Sequence, residues 1–296
     1  MLSHEWYPSM ILDKIKIYSQ KIHKNNFLIN IILKIHSLFD IIFIQELSWS
    51  IIWSILSSSN CEKEELVEVS NYLNWTMFSK NFSLADNFSR VISYINIHLS
   101  FMCFFFWNNV LNHKDILYIY FFNHNSTFFF INIYSDSSLL ALNYLKDTEV
   151  NINNVLVMTG NFNIRDCLWN SSYPLHFSYK DTLFKIADSF HVELSKPTEI
   201  LSTRYSDNTQ DSNLVLDLVF LHPNSMEHNN HHIHSEWRLT SNHASITIDI
   251  HIYEEQVQTR KQSLSKNSKD KACFIKELIY SIKRLSTDPI PSIDAL

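Results

Sequence analysis

With 296 residues, 46% of them hydrophobic and 14% aromatic, the chain is long enough for one large domain or two small ones and too apolar for a disordered protein. Its formal charge of −6 supplies no basic field for capturing nucleic acid non-specifically, so any polyanion site must be local. Cys61, Cys103, Cys167 and Cys273 are scattered with no C-x-x-C pair, which argues against a zinc site or disulfide framework and for free thiols in a reducing compartment.

The N-terminus lacks the basic start, apolar run and small-residue cleavage site of a signal peptide. "IKIYSQKIHK" reads as an opening strand, "NNFLINIILKIHSLF" carries apolar residues at helical spacing, and "FDIIFIQE" is a compact β-branched strand ending at Glu46. The apolar stretch from Arg90 to Leu111 has the length of a membrane span, but Ser93, Asn96, His98 and Ser100 are costly in hydrocarbon. Ile95, Ile97 and Leu99 alternate there with Asn96, His98 and Ser100, which predicts a sheet strand in a soluble, intracellular protein. "ILYIYFF" and "TFFFINIYS" form a hairpin about "NHNS", and "SSLLALNYLKD" opens with serines and runs helically.

"VLVMTG" is a short buried strand ending at Gly160, the only glycine in the chain, where an average protein has about 7%. A glycine retained alone marks a positive φ or a close backbone approach, here read as a sharp strand exit. A helix near "KDTLFKIADSFH", a buried run "NLVLDLVFL" and an alternating strand "SNHASITIDIHI" complete residues 1–253. Residues 254–296 read as a polar linker plus the amphipathic helix "ACFIKELIYSIKRL", the stump of something longer. Strands and helices alternate irregularly with hairpins among them, which predicts an α/β sandwich with mixed sheets.

Four pieces place polar residues at strand ends: "FIQE", "NIYS", "GNFN" with "LVLDLVF", and "SNH". In this order and spacing the chain resembles the endonuclease/exonuclease/phosphatase superfamily, and most of all the endonuclease domain of non-LTR retrotransposons, over roughly residues 14–250. The resemblance implies a four-layered α/β sandwich, two mixed β-sheets packed face to face and flanked by helices, that cleaves DNA phosphodiesters with Mg²⁺. It implies Glu46 as the metal ligand, Tyr134 as a phosphate or transition-state contact, and Asn163 as a phosphate-orienting residue. Asp217 would support His243, whose imidazolium would stabilise charge developing on the phosphate. Residues i and i+2 at a strand exit point the same way, which would let positions 161 and 163 share one phosphate.

Three departures from the family pattern fall on the chemistry. Lys21 stands where the first strand usually ends in Asn, near the metal. Asn161 replaces the Asp of Gly-Asp-x-Asn, and Asn242 replaces the Asp of Ser-Asp-His. Leu214 also stands in place of a usual Ser. An amide cannot take a proton from water near neutral pH, and a positioned general base is worth ~10²–10⁴ in rate. Losing two carboxylates weakens Mg²⁺ binding, and Lys21 adds positive charge unless its amine swings away. The implied activity is thus a weakened DNA endonuclease. The alternative is a non-catalytic pseudo-enzyme that keeps the fold for nucleic-acid or protein binding, or has no function. Enrichment in Ile, Asn, Phe, Tyr, Lys and Ser suggests drift toward A/T-rich codons.

Other signals are weaker. His228, His231, His232 and His234 of "HNNHHIH" read as a solvated loop ahead of a zinc site. Trp169 fits either the substrate side or core packing under a loop. Arg165, Lys180 and Arg204 lie on or near loops beside the motifs and are candidate phosphate contacts.

Overall fold

The computed structural model describes residues 14–252 apart from 26, 36–37, 48–73, 80–88, 103, 108–110, 112, 124–125, 149–151, 153, 171–178, 200, 207–211, 227–229 and 239. The strands in chain order are β1 (Lys14–Lys21), β2 (Ile41–Gln45), β3 (Trp75–Ser79), β4 (Val91–Asn96), β5 (Phe104–Trp107) and β6 (Ile116–Asn123). They continue with β7 (Ser126–Tyr134), β8 (Val155–Asn161), β9 (Glu193–Leu194), β10 (Asp217–Leu221), β11 (Asn230–His234) and β12 (Ser245–His251). The α-helices are α1 (Phe27–Ile35), α2 (Ile97–Met102), α3 (Leu140–Asp147), α4 (Tyr179–Ser189) and α5 (Pro223–Met226), with a 3₁₀ turn at Ser235–Arg238.

Two six-stranded sheets form, in the orders β11-β12-β1-β2-β4-β3 and β5-β6-β7-β8-β10-β9. Each is mixed: β1 with β2 and β7 with β8 are parallel pairs, and the other pairs are antiparallel. The period-2 alternation of side chains explains why the strands read as unbroken apolar runs, because both faces are covered. Ile41 and Phe43 point into the core between the sheets, where Ile15, Ile17, Ile246 and Ile248 meet Phe121, Phe130, Val157 and Val219. Ile42 and Ile44 point the other way, onto Leu28, Ile32 and Leu33 of α1. The second sheet turns Ile131, Ile133, Met158 and Phe220 outward onto Leu142 and Leu145 of α3 and Leu183 and Ile186 of α4. The result is the expected α/β sandwich of four layers.

Several local readings are corrected. Strand β4 stops at Asn96 and α2 begins at Ile97, so the alternation of Ile97, His98 and Leu99 belongs to a helix. The Asn96 side-chain Oδ1 accepts from the His98 N–H at 3.1 Å, which turns the chain out of the sheet. Helix α3 is preceded not by a capping serine but by Leu139, left-handed at φ 55° with no side-chain cap. Among the described residues, no helix is long and apolar enough to cross a membrane. Cys167 is half-buried, its Sγ 3.7 Å from Asp166 Oδ1; the other cysteines and residues 254–296 lie outside the described residues.

Gly160 sits inside β8, not at its exit, with φ 142°. A Cβ there would lie 1.9 Å from the Ile133 carbonyl oxygen on the paired strand β7. Close approach of two parallel strands, not a turn, keeps this glycine. The strain that scarce glycine imposes falls instead on His23, Lys24, Glu46, Leu139, Asn154, Asn163 and His191, all at positive φ. Gly160→Ala is expected to destabilise the fold by about 3 kcal/mol or more, read from urea unfolding.

From Asn230 to His234 the histidine run is a strand and not a loop, pairing antiparallel with β12, His231 opposite Ile248, while His228 lies outside the described residues. His231 is buried, and neither ring nitrogen has a hydrogen-bond partner. Burial, aided by nearby His232, pushes its pKa down to about 3. The unfolded chain therefore binds the extra proton between pH 6.5 and 3, and stability falls as pH drops through that window by about 1.4 kcal/mol per unit. His231→Leu should remove that slope, checked by comparing urea midpoints at pH 7 and pH 5.

Candidate active site

The topology gathers the polar motifs at one end of the sandwich. Strands β1, β2, β7 and β8 end there, whereas β10 and β12 begin there. In register, Lys21 faces Gln45, while Tyr134, Asn161 and Asp217 lie side by side across β7, β8 and β10.

Glu46 follows β2 in a left-handed conformation, φ 56°, and is 8% exposed. The Lys21 ammonium lies 3.2 Å from its Oε2, and His23 Nδ1 lies 3.1 Å from the same oxygen. Burial alone would raise the Glu46 carboxyl; Lys21 and His23 outweigh it and hold the group below its ordinary range. The Lys21 amine has not swung away. It also stands 5.4 Å from the centre of the Tyr134 ring, which the Arg90 guanidinium approaches to 4.6 Å. Arg90 forks onto Asp115 at 2.6 and 2.5 Å and reaches Asp136 at 2.9 Å, fixing its plane. Burial and the Glu46 charge raise the Tyr134 phenol, so it stays protonated at neutral pH.

The second half of the cluster is organised on Asp217. Asn161 Nδ2 donates to its Oδ1 at 3.0 Å, and His243 Nδ1 lies 2.6 Å from its Oδ2. The carboxyl is fully enclosed, yet His243, Lys21 and Asn161 outweigh desolvation and hold it below its usual range. An ionised carboxylate only accepts, so His243 Nδ1 carries the proton between them. Thr203 Oγ1 accepts from the N–H of both Leu216 and Asp217, at 2.9 and 3.0 Å. Ser241 Oγ donates to the Lys21 carbonyl at 2.7 Å and accepts from the His243 N–H at 3.0 Å. Gln20 Nε2 donates to the His243 carbonyl at 3.3 Å, so β1 and the lead into β12 are held together.

Thus Lys21, Glu46 and Tyr134 form one contact group and Asn161, Asp217 and His243 another, with Ser241 bonding the backbones of Lys21 and His243 and the Lys21 charge helping to lower Asp217. Asn242 lies beside His243; its carbonyl accepts from the Tyr205 N–H at 2.8 Å, and its buried Oδ1 has no partner. Asn163 stands beyond the end of β8 with φ 54°, so strand alternation does not align it with Asn161. Trp169 packs under the loop, its Nε1 donating to the Ile164 carbonyl at 3.2 Å. Arg165 is exposed, Lys180 sits 3.9 Å from Asp181 in the first turn of α4, and Arg204 bridges through its backbone to Leu214 and His243. His23, Arg90 and Thr203 were not singled out from sequence; only His23, two residues past Lys21, had a local signal.

The donor set does not fit a divalent cation as it stands. One oxygen of Glu46, the site's candidate ligand, already contacts an ammonium and an imidazole. Among the described residues, no group of three or more His, Cys, Asp or Glu side chains converges on a metal-sized space.

No protein-family model and no curated protein matches the chain. Solved structures do. The endonuclease domain of TRAS1, a telomere-specific non-LTR retrotransposon, aligns at TM-score 0.56 with 10% identity over 81% of this chain and 100% of its own. The AP endonuclease LMAP from Leishmania major aligns at 0.57 with 9% identity, over 86% and 91%. The 3′ phosphatase NExo from Neisseria, bound to product DNA hairpin, aligns at 0.50 with 13% identity, over 80% and 100%. At such identities the likeness is one of architecture: this chain has the endonuclease/exonuclease/phosphatase fold.

Asn161 donates to Asp217 where an Asp could only repel it. Asn161→Asp would set two enclosed carboxylates against each other and raise the pKa of the pair. Its stability deficit relative to the unaltered chain should widen as pH rises from about 4, reaching roughly 3 kcal/mol at neutrality for a two-unit rise. Urea unfolding of both chains at pH 4.5 and 7.5 measures it.

Proposed function

We propose that the chain is a DNA phosphodiester-directed domain of the retrotransposon endonuclease type, weakened as a hydrolase by Lys21, Asn161 and Asn242. The observation that supports it best is the buried chain Asn161–Asp217–His243, beside Glu46 and Tyr134 at one end of the sandwich. Residues that are tens to hundreds of positions apart in the chain lie at that end, which supports the reading. The reading takes further support from neighbours of the same architecture that are nucleases, and from one bound to product DNA.

In this reading His243, oriented by Asp217, contacts the scissile phosphate. Tyr134 donates its phenolic proton to a phosphate oxygen, and Asn163 orients the same group. Asn161 can hydrogen-bond a water but cannot deprotonate it, so water activation is the step lost. The Mg²⁺ dependence of the family enters only through variants that restore carboxylates. The non-catalytic alternative draws its support from the Lys21–Glu46 pair, which satisfies the charge of the metal-ligand position internally.

Nicking of supercoiled plasmid in Mg²⁺ tests the proposal. The unaltered chain should cut slowly or not at all, and a variant carrying Lys21→Asn, Asn161→Asp and Asn242→Asp should gain roughly 10²-fold or more. His243→Ala should abolish that gain. A folded triple variant that cuts no faster, or vigorous cutting by the unaltered chain that survives His243→Ala, would refute it.

A further inference from the structure

We infer that Lys21 is the resident cation of this site: its ammonium holds the place at Glu46 that a divalent ion would need, so the cluster loads no Mg²⁺ or Mn²⁺ until that charge is removed. This deepens the phosphodiester reading of the same residues by assigning the site its cation.

The geometry carries the inference. Lys21 Nζ is 3.2 Å from Glu46 Oε2, at ion-pair distance, and the two side chains are 14% and 11% exposed. A surface pair of this kind would exchange freely with solvent ions, but this one is largely enclosed and weakly screened. The residue has little freedom to leave. Its backbone is paired with Gln45, its carbonyl is tied to Ser241, and its ammonium rests against the Tyr134 ring. A dication approaching Glu46 would meet that ammonium with twice the repulsion of two unit charges at the same separation.

The charge balance agrees. Glu46 and Asp217 are the cluster's carboxylates, and Lys21 acts on both. Arg90 is committed to Asp115 and Asp136. With Asn at 161 and 242, one fixed positive charge takes the part of the counter-ion. Among the described residues, those amides leave two buried oxygens, Asn161 Oδ1 and Asn242 Oδ1, without a hydrogen-bond partner. Removing the ammonium should therefore free the Glu46 carboxylate to hold a weakly bound hard cation.

The test uses Mn²⁺ alone, without DNA, so its outcome is independent of the nicking result. Water-proton relaxation reports Mn²⁺ uptake, counted as the difference between each chain and the same chain carrying Glu46→Gln. The unaltered chain should show no Glu46-dependent uptake at millimolar Mn²⁺, and its Tm should not respond to Mg²⁺. Lys21→Met, which keeps the stem and removes the charge, should take up one ion per chain and gain Tm with Mg²⁺. Lys21→Gln replaces it if the Met variant does not fold. Glu46-dependent uptake by the unaltered chain overturns the inference, and so does a folded Lys21 variant that takes up none.

Discussion

A single enclosed carboxylate, Asp217, ties the two sheets together at the end of the sandwich that carries the polar cluster. It opens β10 in one sheet, accepts from Asn161 on the neighbouring strand β8, and reaches across to His243, which leads into β12 of the other sheet. A buried charge is tolerable only when paired and hydrogen-bonded, and each oxygen of Asp217 has a partner. Thr203 adds a second constraint by accepting from the two backbone N–H groups at the start of β10. The face-to-face packing of the sheets and the placement of the imidazole are therefore one arrangement.

The same end of the sandwich carries a second solution to the same problem. Glu46, held left-handed where β2 stops, is ion-paired with Lys21 and contacted by His23 Nδ1. Deeper between the layers, Gln45 donates to Asn132 Oδ1 at 2.7 Å, a polar bridge from β2 to β7 in which both residues are buried. Asn161 and Lys21 thus suit a site whose charges are balanced internally. An amide beside Asp217 removes like-charge repulsion, and an ammonium beside Glu46 removes the need for an external ion.

Much of the architecture was legible in the residues because both faces of each sheet are covered. Runs such as "IIFIQ" and "VLVMTG" could then be nothing but buried strands, and the hairpin of β6 and β7 followed from two apolar runs with a short polar link. Misreadings occurred where local pattern was ambiguous. Ile97 to Leu99 alternate like a strand, but the Asn96 side chain captures the backbone and starts a helix. The histidine run looks polar, yet strand pairing puts His231 on the core side with Ile233. Gly160 was noticed for the right reason, close approach, but credited to a turn, because the approaching atom is the carbonyl of Ile133 on another strand.

Residue order alone singled out Glu46, Tyr134, Asn161, Asp217, Asn242 and His243 as candidates, since they stand beside recognisable strand ends. It also settled that two carboxylates expected by the family pattern are amides. What those changes do was decided in three dimensions. Whether Lys21 turns toward Glu46 or away, and whether Asn161 donates to Asp217 or leaves it, depends on pairing between strands that are separate segments of the chain. Coulomb energy and hydrogen bonding act over a few ångströms, so only the folded chain sets their sign.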